Sequence, residues 1–397
     1  ADDGGLFVPE IWPALEFDSD PSSLSLVDLA LQILKPFFVN DPLESKLYEI
    51  CNKTFNFPLP LKEIDKTTSL LELYHGPTLA FKDFGARFLA LCLEAIPTQD
   101  QKPRMVLVAT SGDTGGAVAA AFQEFTKTPV TILYPSDKIS VRQEKQLTCW
   151  GQQVQAFAVD GSFDDCQKMV KEAFQSDWWK SRYLLVSANS INIARLLPQM
   201  VYFAFASYYY QKKHQAQASF IVPSGNVGNA TAALWAQKLG CPIGKIIFSH
   251  NANRTVKEYF ESGVWKPLSS VSTLANAMDV GHPSNFERVR DLYPELSELK
   301  IYAEAYSVTD EQIQKVIVQS NLIFCPHTAT AFYVRQQLPH GHWIIVATAH
   351  PGKFETIIEP LIQKKIDIPI ELLKLLSKTS NYKKISSQLI ELQKYFN

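Results

Sequence analysis

Three short apolar runs in this chain end in the same way. Met105–Ala109 runs into Thr110-Ser-Gly-Asp-Thr-Gly-Gly116, Phe220–Val222 into Pro223-Ser-Gly-Asn-Val-Gly-Asn229, and Ile344–Thr348 into Ala349-His-Pro-Gly-Lys353. In the first two, a helical pattern follows at once. Runs of this kind are strands, and ligands of open α/β sheets sit beyond the carboxyl ends of strands. Glycine lets the backbone approach an anion, and the helix that follows offers free N–H groups to it. The repeated ending therefore implies a crevice that holds something anionic. The runs Val130–Tyr134, Gln155–Val159, Leu184–Ser187 and Ile246–Ser249 add further strands. The helical patterns Gly115–Phe125, Phe163–Trp179 and Asn229–Leu239 lie between them. Such alternation makes an α/β protein with a mainly parallel sheet. Pro360–Phe396 reads as two closing helices.

Composition narrows the function. The chain has 397 residues, 46% hydrophobic and 20% charged, with a formal charge of −2. That balance gives neither a nucleic-acid footprint nor a reason to adsorb to membranes. The apolar stretch Val201–Tyr210 is too short to span a bilayer and reads as a buried helix. The six cysteines lie far apart without a C-x-x-C pair, as in a reducing compartment. The opening Ala-Asp-Asp-Gly-Gly has no basic and apolar signal regions, so a cytoplasmic protein is expected. No H-E-x-x-H or G-x-S-x-G motif occurs, and no metal is expected.

Each loop taken alone admits two readings. Ser224–Asn229 either cradles a phosphate or is an ordinary strand–helix turn capped by Asn229. Its glycines fit neither the dinucleotide fingerprint nor the Walker pattern, which leaves an isolated phosphate rather than a nucleotide. The Ser111–Gly116 loop either wraps a carboxylate through Ser111, Thr114 and backbone N–H groups or is merely capped by Thr110 or Asp113. The segment His75–Gly85, HGPTLAFKDFG, places Lys82 between Phe81 and Asp83. Lys82 is either an exposed helix lysine or a partly desolvated amine of lowered pKa, suited to Schiff-base chemistry.

Together the segments resemble the threonine synthase family, in the longer branch found in bacteria and fungi. LELYHGPTLAFKDFGARF at 71–88, ATSGDTGGA at 109–117 and PSGNVGNATA at 223–232 carry the likeness. So do YPSDKISVRQEKQ at 134–146, SANSINIARLLPQ at 187–199, AMDVGHPSNFER at 277–288 and ATAHPGKFE at 347–355. The resemblance implies a fold of the tryptophan synthase β-subunit type, with two α/β domains enclosing pyridoxal 5'-phosphate. Residues 1–105 plus 199–397 would form the larger domain and 106–198 the smaller, mobile one. Lys82 would form the Schiff base. Ser224, Gly225, Asn226, Val227, Gly228 and Asn229 would hold the cofactor phosphate, and Thr348 would face the pyridine nitrogen. Ser111, Asp113, Thr114, Asn189, Asn192, Arg195 and Lys145 would line the substrate side.

The implied reaction converts O-phospho-L-homoserine and water into L-threonine and phosphate. A monomer or homodimer is expected, with no nucleic-acid or membrane partner. The rivals are another lyase of the same fold, such as a threonine dehydratase, and a metabolite-binding relic without turnover. The family pattern begins upstream of DDGGLFVP, which implies an incomplete or shortened N-terminus. Cys325 stands where many members carry Asp, leaving His327 as a pocket residue without an assigned role. Gly352 replaces a common Ala.

Overall fold

The apolar runs become strands of two separate sheets. The computed structural model describes residues 5–17, 19–97, 102–125, 127–136 and 139–396. Asp137 and Lys138 of the family-like segment 134–146 lie outside the described residues, as does the start of the chain, Ala1–Gly4. The strands are β1 (Leu61–Glu63), β2 (Thr68–Glu72), β3 (Arg104–Ala109), β4 (Val130–Pro135), β5 (Val154–Asp160) and β6 (Leu184–Ser187). They continue with β7 (Ala218–Pro223), β8 (Ile243–His250), β9 (Ala303–Ser307), β10 (Trp343–Ala347) and β11 (Lys383–Ser386). The larger sheet has the order β1-β2-β10-β7-β8-β9, and the smaller β11-β5-β4-β3-β6. Only the β1–β2 pair is antiparallel among these ladders.

Parallel strands covered on both faces need apolar residues at every position, and period two divides them between two cores. In the larger sheet Phe220, Val222, Ile344 and Val346 face one core, which also holds Met200, Phe203 and Trp235. Ile221, Ile247 and Ile345 face the other, with Ile313, Ile317 and Ala329. In the smaller sheet Val106, Val108 and Ile132 alternate in the same way with Met105, Leu107 and Leu133. The helix Gln199–His214 contains the apolar stretch 201–210 and buries Val201, Tyr202, Phe203 and Tyr210. No helix among the described residues is long and apolar enough to cross a membrane.

The end of the chain departs from expectation. Instead of two closing helices it supplies short helices, Ile370–Leu376 and Leu389–Gln393, separated by β11. β11 pairs in parallel with β5, Ile385 opposite Val159. Residues 383–386 therefore belong to the smaller sheet, and the division of 1–105 plus 199–397 from 106–198 fails there. Only Ile385 of this strand is buried, so no apolar run marks it. The expected helix 163–179 also breaks, at the extended residue Ser176, into Phe163–Gln175 and Asp177–Arg182.

The tail is anchored by contacts in the smaller core. Phe396 packs on Trp179 with ring centroids 5.1 Å apart, Tyr395 packs on Phe157 at 5.2 Å, and Leu392 is fully buried. Replacing Leu392 with Ala leaves a cavity and should cost about 2–5 kcal/mol. Urea unfolding would show a lower midpoint, and an unchanged midpoint would mean that the tail contributes little to the smaller core.

Candidate active site

Lys82 is placed by a backbone stitch. The Phe81 N–H donates to the Thr348 carbonyl at 2.8 Å, and the His350 N–H to the Leu79 carbonyl at 3.0 Å. Ala80 and Ala349 form an antiparallel bridge between them. Leu79 takes a left-handed conformation, φ 58°, and the chain enters the helix Lys82–Ala95 at Lys82 itself. The amine-bearing residue is thereby fixed beside the end of β10. Lys82 and Thr348 line one cavity of about 940 Å³.

The Ser224–Asn229 turn forms another wall of that cavity. The helix Gly228–Lys238 starts here, and its first backbone bond runs from the Thr231 N–H to the Val227 carbonyl. Earlier N–H groups have no intrahelical acceptor. Val227 is left-handed, φ 63°, which is uncommon for a β-branched residue and typical of strained functional turns. A Cβ on Gly225 would lie 2.7 Å from the Met278 Cα, so only glycine fits. The side chains are engaged elsewhere. Ser224 Oγ donates to the Val222 carbonyl at 2.8 Å. Asn226 donates to Ser190 Oγ at 2.7 Å and accepts from the Ser284 N–H at 2.6 Å. The turn thus offers chiefly backbone N–H groups and the Asn229 amide nitrogen, not the Ser224 and Asn226 side chains.

The smaller sheet contributes Ser111, Asp113 and Thr114 at the end of β3, and Asn189 and Arg195 after β6. Thr110, not Asp113, caps the helix Asp113–Phe122: its Oγ1 accepts from the N–H groups of Gly112 at 3.0 Å and Gly115 at 2.9 Å. Gly112 has φ +134°, a region closed to L side chains, and this sharp turn aims the loop at the cavity. Arg195 is buried and donates through Nη1 to the Ala188 carbonyl, while its Nε has no partner.

Electrostatics follow from burial and charge. Burial lowers the Lys82 amine to about 8; Asp113 opposes that shift, while Lys353 and Arg195 reinforce it. Burial would raise the Asp113 carboxyl, but the nearby Lys353 and Lys82 hold it ionised, well below the usual carboxylate range. Lys353 Nζ lies 2.8 Å from Asp113 Oδ1. Burial lowers His327 to about 4, so it is neutral at pH 7. Its Nε2 accepts from the Ala277 N–H at 3.1 Å, which puts the proton on Nδ1.

Two expected residues do not reach the cavity. Lys145 donates to Ser380 Oγ at 3.2 Å and turns away. On the helix Val141–Thr148, Gln143 and Gln146 occupy the buried face three residues apart, so Lys145 cannot share that face. Asn192 caps the short helix Ile193–Leu196, accepting from the Ala194 N–H at 3.0 Å and donating to the Ser187 carbonyl at 2.9 Å. Sequence reasoning missed Lys353, and it also missed the walls Leu268–Ser270 and Asn276–Val280. The Lys in HPGK was the available signal for the first; the walls carry no glycine loop. Cys325 caps the helix Pro326–Gln337, its Sγ accepting from the Thr328 N–H at 3.4 Å, and burial pushes its thiol up. Among the described residues no cluster of His, Cys, Asp and Glu could hold a metal ion.

Residues 60–348 match the family model described as pyridoxal-phosphate dependent enzyme, and residues 1–55 match that of the threonine synthase N terminus. The chain belongs to the threonine synthase family. It is 38% identical to threonine synthase of Buchnera aphidicola from Acyrthosiphon pisum, covering 98% of this chain and 94% of the relative. Identity to the Escherichia coli enzyme is 40%, over 93% and 87%. The solved E. coli structure superposes with a TM-score of 0.91 at 36% identity, covering 100% of this chain and 94% of that one. Pyridoxal phosphate-bound threonine synthase from Brucella melitensis gives 0.89 at 29%, over 99% and 93%. The fold is that of pyridoxal phosphate-dependent enzymes, as the sequence implied.

The residues present fit that cofactor. A primary amine, an N–H-rich turn at a helix start and a hydroxyl at Thr348 surround one cavity. Of the residues lining it, Asn229, Asn189, Arg195 and His327 each keep one buried side-chain nitrogen or oxygen (Nδ2, Oδ1, Nε and Nδ1) without a hydrogen-bond partner. Gly225→Val should weaken pyridoxal phosphate retention more than tenfold, on the order of the loss of one charge-assisted contact. Cofactor titration with unchanged affinity would remove the turn from the site. Because only the neutral amine is a nucleophile, cofactor uptake by the apoprotein should accelerate as pH rises through about 8. A rate that is flat between pH 6 and pH 9, taken as roughly one unit or more either side of that value, would contradict the lowered amine.

Proposed function

We propose that the protein converts O-phospho-L-homoserine and water into L-threonine and phosphate, as a carbon–oxygen lyase acting on phosphates. The observation that carries this reading is the half-buried Lys82 amine, lowered to about 8, in one cavity with an N–H-rich turn and the Ser111–Thr114 loop. Bound there, pyridoxal phosphate supplies the electron sink for carbon acids next to the substrate amine. Lys82 holds the cofactor and then, released, moves protons at the substrate's Cα, Cβ and Cγ, all within reach of one flexible side chain. The N–H groups of Gly225–Asn229 hold the cofactor phosphate. Thr348 meets the pyridine nitrogen with a hydroxyl, which does not hold a proton there as a carboxylate would.

Ser111, Thr114 and the N–H groups opening the helix Asp113–Phe122 bind the substrate carboxylate. Asn189 orients the substrate. Arg195, with Nε unpartnered, meets the substrate phosphate through a planar guanidinium suited to such oxygens. The smaller domain closes over the substrate and excludes water until phosphate leaves. The protein works in the cytoplasm on a small molecule.

The test is release of phosphate and threonine from O-phosphohomoserine by the purified protein. Lys82→Ala should abolish both while the fold persists. Arg195→Ala should lower kcat/KM by more than about tenfold, as loss of a buried charged partner does. Lys145→Ala should stay near parental. Release of 2-oxobutanoate and ammonia from threonine instead would make the protein a dehydratase, and absence of any turnover would make it a binder.

A further inference from the structure

One buried ion pair joins the two sheets. Lys353 follows β10 in the turn Pro351–Lys353, and its side chain is fully buried. Asp113 opens the first helix after β3. Their 2.8 Å contact therefore ties the smaller domain's loop to the larger sheet. Lys353 Nζ also donates to the Thr78 carbonyl at 2.9 Å, and Gln146 Nε2 donates to the same carbonyl at 3.1 Å. Thr78 in turn donates its N–H (2.9 Å) and its hydroxyl (2.7 Å) to the carboxylate of Asp83, the neighbour of Lys82. The Lys353 carbonyl accepts from Ser140 Oγ at 3.1 Å, and the Gly352 carbonyl accepts from Arg142. Contacts thus run without a gap from the Ser111–Thr114 loop to the start of the Lys82 helix.

Stability alone does not account for such a pair. Well-packed apolar side chains in place of a buried ion pair are often as stable or more so. The chemistry of the loop does account for it. A loop that receives a carboxylate and carries its own carboxylate would repel its ligand unless that charge were matched.

We propose that Lys353 is a positioning residue: it holds Asp113, neutralises it for an incoming carboxylate, and sets the Ser111–Thr114 loop against Lys82. The carboxylate ligand rests on the function proposed above; the charge coupling to Lys82 does not. Among the described residues, Asp113 raises the Lys82 amine, Lys353 and Arg195 lower it, and His327 beside it is neutral. Removing the Lys353 charge therefore lets Asp113 stabilise a proton on the Lys82 nitrogen. Removing the Asp113 charge does the opposite.

The experiment is a pH titration of the cofactor's visible absorbance in the loaded protein, which reports the proton on the nitrogen joining it to Lys82. Lys353→Met should shift the midpoint up by about one pH unit, and Asp113→Asn should shift it down by about as much. The double variant should return near the parent, and Lys353→Arg should stay close to it. In steady state Lys353→Met should raise KM for O-phosphohomoserine about tenfold with a smaller loss in kcat. Should Lys353→Met fail to fold, the downward shift of Asp113→Asn carries the test. Midpoints unmoved in the folded variants would overturn the proposal and leave a packing role. Shifted midpoints in a protein inactive on O-phosphohomoserine would keep the charge coupling and overturn the substrate instead.

Discussion

The antiparallel stitch between residues 79–81 and 348–350 is the constraint on which the site depends. It fixes the amine at the end of β10, between the two sheets, and the other groups gather around that point. The phosphate-type turn follows β7, the next strand over, and β10 and β7 are hydrogen-bonded neighbours. Adjacent parallel strands end on the same side, so their loops share one crevice. The smaller sheet reaches it from the opposite wall through the loops after β3 and β6, which also pair. Four strand ends thereby meet around one volume without any long loop having to find its place.

Beside the Lys82 amine, two cations act against one carboxylate. Lys353 and Arg195 push the Lys82 amine down, Asp113 pulls it up, and His327 stays neutral. This suits a cofactor phosphate, a substrate phosphate and a substrate carboxylate arriving together, because each anion entering a desolvated site needs a matching donor. Burial first, and these cations second, keep the amine low enough to act as a base near neutral pH.

The loops of the site were legible in the sequence because their constraint is local. Glycines at 112 and 225 answer a backbone requirement that the neighbouring residues reveal, and Lys82 stands among aromatics within its own segment. What stayed hidden depends on distant partners. β11 shows one buried residue and gains strand character only beside β5, more than two hundred residues earlier in the chain. Lys353 is defined by Asp113 across the sheets. Lys145 and Asn192 were misplaced for the converse reason. Both lie in family-like segments, but helix phase turns one outward and a cap bond occupies the other.

The position of β11 has a consequence for synthesis. As the chain leaves the ribosome, β3 to β6 are complete long before residues 383–386 appear. During that interval β5 presents an unpaired edge, and the nascent smaller sheet has a template for joining another chain. β11 covers that edge of β5 only once residues 383–386 have been made. A chain cut short before Lys383 would emerge with the β5 edge permanently open.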